Sequence, residues 1–352
     1  MFPSVVCNVI PSILSRMLAL DPLSDIERAF IRRVALEGKV RVDGRSRRES
    51  RELNVELLDD PGSCIVSLGE TKVLAQCSAH LCEPKPTRPN EGRLSIHFDV
   101  SPMAAPLQDN RTVEYRVDIG RLLDRVIRDS ECVDLENLCL VAAEKAWEVR
   151  VDVVLLNLGG NVAECASIAT VAALAHFRRP DVTIVGKEVT IHPVAVREPV
   201  SLHLYHYPYC LSFAFFEPHE TQQTLENTSD KAGKDGSPGS SHESDKTIPL
   251  QIATVIVDPS LDEEACCDGV LTVGVNSHDE VCALQQRGCL LTSAQIKLCI
   301  KIACARAAEI SKTIKNTLTP PADEKNRKNF KCAEINRDSV HMRGHDEEEQ
   351  RE

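Results

Sequence analysis

Residues Val153–Ala166, VVLLNLGGNVAECA, decide how the rest of the chain is read. An apolar run ends in Gly159 and Gly160, and an alanine-rich helix is expected to start at once. A strand, a glycine turn and a helix N-terminus make a common anion cradle, because unpaired backbone N–H groups and the helix dipole favour negative charge there. The residues after the glycines do not suit an anion. The first helical turn offers Val162, Ala163 and Glu164, with no Arg, Lys, Ser or Thr. The frame of a phosphate site is present without the groups that would hold phosphate.

The helix of residues 161–177 is apolar nearly all round and is expected to be buried, ending at Arg178-Arg179-Pro180-Asp181. Upstream of it, Ser24-Asp25-Ile26-Glu27 reads as a capping box, followed at helical spacing by Ile26, Phe30 and Val34 and closed by Gly38. Strands are predicted over 64–68 and 72–81, joined as a hairpin through Gly69-Glu70-Thr71, and over 94–101. A helix is predicted over 113–128, with Leu122, Leu123, Val126 and Ile127 on one face and Arg121, Arg125 and Arg128 on another. The stretch 142–156 is β-prone. The second half repeats the order of strands then helix, with strands over 182–191, 201–206, 210–216, 252–257, 269–275 and 280–286 and a helix over 293–318. Strands followed by helices in each half predict an α+β fold of two related sublayers. The stretch 217–247 reads as a disordered insertion, 319–352 as a solvated charged tail, and 1–22 as a weakly ordered segment. The two domains are then 23–181 and 182–318.

Composition narrows the function. With 352 residues, 42% hydrophobic and only 4% aromatic, the core must be mostly Leu, Ile, Val and Ala. A formal net charge of −12 argues against non-specific wrapping of duplex DNA and leaves room for a local basic groove. The 15 cysteines form no CxxC pair and sit mostly in apolar runs, as reduced thiols of a cytosolic or nuclear protein do. His203, His206 and Cys210 are the nearest approach to a metal set, but their alternating pattern reads as sheet residues without metal. No run reaches the ~18 apolar residues of a membrane span, and the N-terminus lacks the basic region of a signal peptide. No membrane association, metal or cofactor is expected.

Several pieces, in order, carry a family resemblance: VRVDGRSRRESRELNVEL (40–57), GETKVLAQ (69–76), GRLLDRVIRDSECVDLENLCLVAAEKAWEVRVDVVLLN (120–157) and the strand-turn-helix after it. They resemble the RNase PH family of phosphorolytic 3′→5′ exoribonucleases, and within it the RNase PH-like subunits of the eukaryotic RNA exosome core. SPMAAP (101–106), AHFRRPDV (175–182), LSFAFFE (211–217) and VDPSLDEE (257–264) are similar to one subunit type of that ring. The resemblance implies the RNase PH fold, two βαβα sublayers like domain 2 of ribosomal protein S5.

It also implies where chemistry would lie. Active members hold phosphate with an Asp-Gly-Gly-Thr-Arg-like turn, which here falls on Gly159, Gly160, Asn161, Val162 and Ala163. Loss of the guanidinium and gain of Glu164 both oppose an anion. The family's acidic positions fall on Asp258 and Glu264 of a strand-to-loop segment, where the longer Glu264 displaces its carboxyl and leaves a group able to bind a cation or cap a turn. The family places arginines of the loop holding Arg88 and Arg93 along the RNA path; a solvated basic loop is the plainer reading. Arg121, Arg125 and Arg128 match a helix used for packing and subunit contacts, or form surface ion pairs, and Arg178 and Arg179 complement a helix C-terminus. A catalytically inactive ring subunit is therefore expected, in the nucleus (nucleolus) and cytoplasm. Its partners would be single-stranded RNA, RNase PH-like subunits of a hexameric ring, cap subunits and an associated nuclease. An active phosphate-dependent exoribonuclease is the alternative.

Overall fold

The structure, a computed structural model, describes residues 23–38, 40–104, 110–186, 188–193, 196–218 and 253–318. The expected N-terminal segment, the tail and all but the first two residues of the expected insertion lie outside the described residues. In chain order the elements are α1 (Asp25–Glu37), β1 (Leu53–Leu57), β2 (Ser63–Leu68), β3 (Thr71–Cys82), β4 (Arg93–Val100), α2 (Asn110–Leu123), β5 (Cys139–Val141) and β6 (Lys145–Asn157). There follow α3 (Val162–His176), β7 (Arg178–Arg179), β8 (Val182–Val185), β9 (Glu188–Ile191), β10 (Val200–Ser201) and β11 (Tyr209–Phe216). The chain continues with β12 (Thr254–Val257), α4 (Leu261–Cys266), β13 (Gly269–Val275), β14 (Val281–Gly288) and α5 (Ser293–Leu318).

The main core is built round α3. Its residues from Val162 to Leu174 are all buried, as a helix without a polar face must be. One side lies on β2, β3 and β6 of a first sheet, ordered β1-β2-β3-β6-β4 with β5 beside β6. The other side meets β11 and α5 of a second layer, whose sheet runs β12-β11-β13-β14. The many alanines keep the helix slim, so two sheets can close on it. Its polar groups are satisfied locally: Thr170 Oγ1 donates to the Ala166 carbonyl (2.7 Å), and Ser167 Oγ accepts the Cys210 N–H (2.9 Å), tying α3 to β11. In β6, Val149, Val151, Val153 and Leu155 point inward at a period of two, which delivers the glycine turn to the end of the first sheet.

The second sheet is buried on both faces at β11, all eight of whose residues are inside. Its outer face is covered by α1, where Ile31 and Ala35 meet Ala214, Phe216 and Ile256. The first helix of the chain thus packs with the second lobe, fixed there by a bidentate Arg32–Asp268 pair (both 2.7 Å). The Ser24–Glu27 capping box is present. The expected stripe is not: Ile26 and Phe30 are exposed, because the sheet that receives α1 lies on the side of Ile31 and Ala35. Gly38 ends the helix in an extended conformation, where a Cβ would sit 2.4 Å from the Val34 carbonyl oxygen.

Other departures have local causes. Residues 182–191 form not one strand but a hairpin, β8 and β9, turned at Gly186 (φ +65°). Residues 201–206 are not a strand: only Val200 and Ser201 pair, with β7, and Leu204 makes an isolated bridge to Val133, so no continuous partner runs beside them. Helix α2 starts earlier than expected and widens into a π turn over Asp124–Arg128, which brings Val126 and Ile127 together into the core. Helix α4 was not expected at all. Its Ser260–Glu263 capping box repeats the device that starts α1.

If α3 is slim because both sheets need it so, Ala169→Leu will destabilise the chain by about 1–3 kcal/mol through overpacking. Denaturant unfolding midpoints will show the loss at unchanged slope.

Candidate functional site

Gly160 (φ +88°) and Asn161 (φ +51°) turn the chain through two successive left-handed residues into α3. Glycine takes this conformation without strain, and Asn tolerates it. At Gly160 the missing side chain also makes room: a Cβ would lie 2.4 Å from the Leu261 nitrogen and 2.6 Å from the Ser260 carbonyl carbon. The glycine therefore admits the backbone of the second lobe. The turn's carbonyls are gathered from the first lobe, by Arg51 Nη1 donating to Gly159 O (2.9 Å), Arg51 Nη2 to Gly160 O (3.1 Å) and Thr71 Oγ1 to Gly160 O (2.6 Å).

Asp258 follows β12 and is fully buried, itself in a left-handed conformation (φ +49°). Its Oδ1 accepts from Arg51 Nη2 and Asn161 Nδ2, both at 2.7 Å. Its Oδ2 accepts from the Arg51 backbone N–H (2.8 Å), Arg51 Nε (3.0 Å) and Arg45 Nη1 (3.1 Å). Burial opposes the charge, but the Arg51 hydrogen bonds and cation prevail and hold the carboxyl below the usual Asp range. Burial likewise works against the Arg51 guanidinium, and Asp258 outweighs it, so Arg51 is raised. A carboxylate held ionised and saturated with donors has no proton to give.

Glu264 does not lie on a strand-to-loop segment as expected. It sits on α4 with its Oε1 accepting the Asn161 backbone N–H at 2.8 Å. Asn161 Nδ2 also donates to Glu164 Oε2 (2.6 Å). The N-terminus of α3 therefore does attract a carboxylate, one from the chain's own second lobe. Glu264 caps a turn, as its longer side chain permits. Val162 and Ala163, at the positions matching the family's Thr and Arg, are core residues. Behind Asp258, Arg41 reaches both oxygens of Glu263 and the carbonyls of Val257 (2.8 Å) and Asp258 (2.9 Å).

The sequence-derived residues fall into separate places. Gly159, Gly160, Asn161, Val162, Ala163, Asp258 and Glu264 converge at the lobe junction. Arg88 and Arg93 do not join them. Arg93 is in register with Glu148, nine residues along β6 from Asn157, roughly 30 Å of strand away. There Arg88 pairs with Glu91 (3.0 Å) and Arg93 approaches Glu148 (3.7 Å). Arg121 lines a cleft of about 660 Å³ between α2, β4 and β6, beside Arg116 and Arg150. Arg125 is exposed, and Arg128 pairs with Asp124 (3.4 Å). Arg178 donates to the Ala175 (3.2 Å) and Phe177 (3.0 Å) carbonyls at the end of α3, while Arg179 holds Asn137. His206 bonds Ser130 (3.2 Å) and His203 packs edge-on to Tyr205, so neither joins Cys210 in a metal set. Among the described residues no group of three His, Cys, Asp or Glu is placed to hold a metal, and no helix is long and apolar enough to cross a membrane. Sequence reading missed Arg45, Arg51 and Thr71. The basic turn of residues 40–57 was visible, but its carboxylate partner lies 207 residues away from Arg51.

The 3′ exoribonuclease family, domain 1, matches residues 48–180, and domain 2 of the same family matches 251–306. The chain belongs to this 3′ exoribonuclease (RNase PH) family and has its α+β fold. Within the family, it is similar to proteins named exosome complex component RRP45. That of Danio rerio is 39% identical over 84% of this chain and 67% of its own length, and that of Homo sapiens 40% identical over 84% and 60%. That of Schizosaccharomyces pombe is 33% identical over 81% and 87%. The chain thus spans about three fifths to two thirds of the length of its vertebrate relatives. A solved structure described as the Archaeoglobus fulgidus exosome with RNA bound to the active site shares the fold, with a TM-score of 0.60 at 24% identity over 82% of this chain and 97% of that one. An archaeal exosome core also scores 0.60, at 22% identity over 86% and 98%.

Arg51→Ala leaves the Asp258 charge buried with a weaker partner set and will cost about 3–5 kcal/mol in chemical unfolding at pH 7. The depressed Asp258 carboxyl gives stability that is present above the ordinary Asp range, about pH 4, and lost as pH falls through its folded value. In Arg51→Ala this acid loss will begin at higher pH, read from unfolding midpoints between pH 2 and 5.

Proposed function

We propose that this chain is a non-catalytic structural and RNA-path subunit of the exosome core ring, supporting 3′→5′ RNA processing and decay, including rRNA maturation and mRNA turnover. The observation that carries the inactive reading is the α3 N-terminus. Phosphorolysis needs an orthophosphate ion held in line with the scissile bond and charge neutralised around it. Here that helix end accepts Glu264, the nearby cations are taken up by carboxylates, Arg51 by Asp258 and Arg45 by Asp43 and Asp258, and Gly160 is covered by the Ser260–Leu261 backbone.

The ring reading is supported by the relatives named as exosome components and by surfaces left open on the fold. Val113 and Val117 of α2, beside the cleft lined by three arginines and three aspartates, and Val281 and Leu284 of the edge strand β14 are exposed apolar groups on one-sided elements. Such surfaces suit RNase PH-like neighbours in a hexameric ring, with cap subunits and a separate nuclease completing the assembly. Arg88 and Arg93, exposed or half-exposed beside single carboxylates, suit the backbone of a single strand passing without sequence readout. We place this work in the nucleus, with the nucleolus, and in the cytoplasm.

Given orthophosphate and a 3′-tailed RNA, the chain will release no nucleoside diphosphates, alone or in a reconstituted ring. Phosphate-dependent release that Asp258→Asn abolishes would establish an active exoribonuclease instead. In the ring, Arg88→Glu combined with Arg93→Glu will lower RNA crosslinking to this chain roughly tenfold, the loss of one or two phosphate contacts. Unchanged crosslinking would remove these arginines from the RNA path.

A further inference from the structure

Glu164 is fully buried and Glu264 half-buried at the lobe junction, and among the described residues neither forms an ion pair. The guanidinium groups of Arg51 and Arg45 bond the Asp258 carboxylate. Glu264 receives the Asn161 backbone N–H, and Glu164 receives the Asn161 amide. Two buried acceptors, Glu164 Oε1 and Asn161 Oδ1, face no donor. A buried carboxylate without an ion pair is costly in its charged form, whereas a neutral carboxyl brings the donor that this set lacks.

The remaining groups do not change this balance. From α5, Arg306 acts on Glu164 only through space, its guanidinium bonded to Glu309 (3.1 Å) and the Arg51 carbonyl (3.4 Å). Glu263 of α4, which adds negative charge near Glu264, is held by Arg41. Tyr115 of α2 faces Glu264, and the thiols of Cys165 and Cys267 lie close by; burial keeps all three neutral, with Cys210 of β11 in the same state beside Glu164.

We propose that the junction is a proton-dependent clasp: a proton held at Glu164 or Glu264, the two carboxyl groups bonded to Asn161, lets three acidic side chains gather at the junction with Arg51 and Asn161, and its departure loosens the seat of α4 on the N-terminus of α3. Burial first, then the Asp258 charge, pushes Glu164 up to about 7, and burial also pushes Glu264 up to about 7. The folded chain then binds more protons than the unfolded chain between the ordinary Glu value, about 4.3, and about 7. The clasp's contribution is full below that window and is lost as pH rises through it. Asp258, depressed, acts in the opposite sense at more acid pH.

Glutamine has the shape of a protonated glutamate, so Glu164→Gln and Glu264→Gln test the clasp in the full chain. Guanidinium unfolding is followed at pH 5 and pH 8. The unfolding constant of the wild-type chain is expected to rise 10- to 100-fold more across this range than that of the double variant, on the order of one to two pKa units of linkage. Each single variant should exceed the wild type in stability at pH 8. Equal pH dependence in wild type and double variant, or variants weaker than wild type at pH 8, overturns the proposal. Infrared spectra provide a readout independent of stability. A protonated-carboxyl band at pH 6 that fades by pH 8 and diminishes in Glu264→Gln is expected, and its absence from the wild type is equally fatal.

Discussion

The bond between Arg51 and Asp258 is the constraint on which the junction rests. Asp258 is a charge with no access to water, and it is stable only because one side chain wraps both its oxygens while Arg45 and Asn161 fill the remaining directions. The same guanidinium also holds the carbonyls of Gly159 and Gly160, so it sets the glycine turn, and with it the start of α3. Because Asp258 leads into α4, that one contact also fixes where α4 meets the helix end. Breaking a buried pair of this kind leaves an uncompensated charge, which is why so many neighbours are committed to it.

A helix N-terminus favours negative charge whatever its source. In this fold the favour is used twice for internal purposes, by Glu264 on the Asn161 N–H and by Glu164 in the first turn. The same backbone frame serves here as a joint between lobes. Gly160 illustrates the change: an absent side chain that would let a ligand approach instead lets the Ser260–Leu261 backbone approach. The two readings of a strand-glycine-helix motif are separated by a few side chains, not by the path of the chain.

How much was legible follows from the range of each interaction. Helix α5 lies over the residues its apolar repeat indicates, and α3 was recognisable because no face of it is polar. The β2–β3 hairpin announced itself through its turn residues. Helix α4 escaped because six residues are too few for a period, although Ser260 and Glu263 carried its capping signal. The stripe of α1 was misjudged because Ile31 and Ala35, not Ile26 and Phe30, face a sheet whose strands come some 180 residues later. The glycine turn, with Val162 and Ala163 after it, was local and could be read directly. The partners that gather at the turn could not, since nothing near Arg51 in sequence names Asp258, and nothing near Asn161 names Glu264.

The packing of α1 and the basic turn on the second lobe has a consequence for biosynthesis. Arg32, Arg41 and Arg51 find their acidic partners 236, 222 and 207 residues later. A ribosome adding ~5–20 residues per second takes about 10–40 s to make the intervening chain. Throughout that interval the nascent first lobe presents unmatched arginines and a bare helix face. These pairs can close only when the C-terminal half has emerged, so the junction is a late, post-synthetic step of folding.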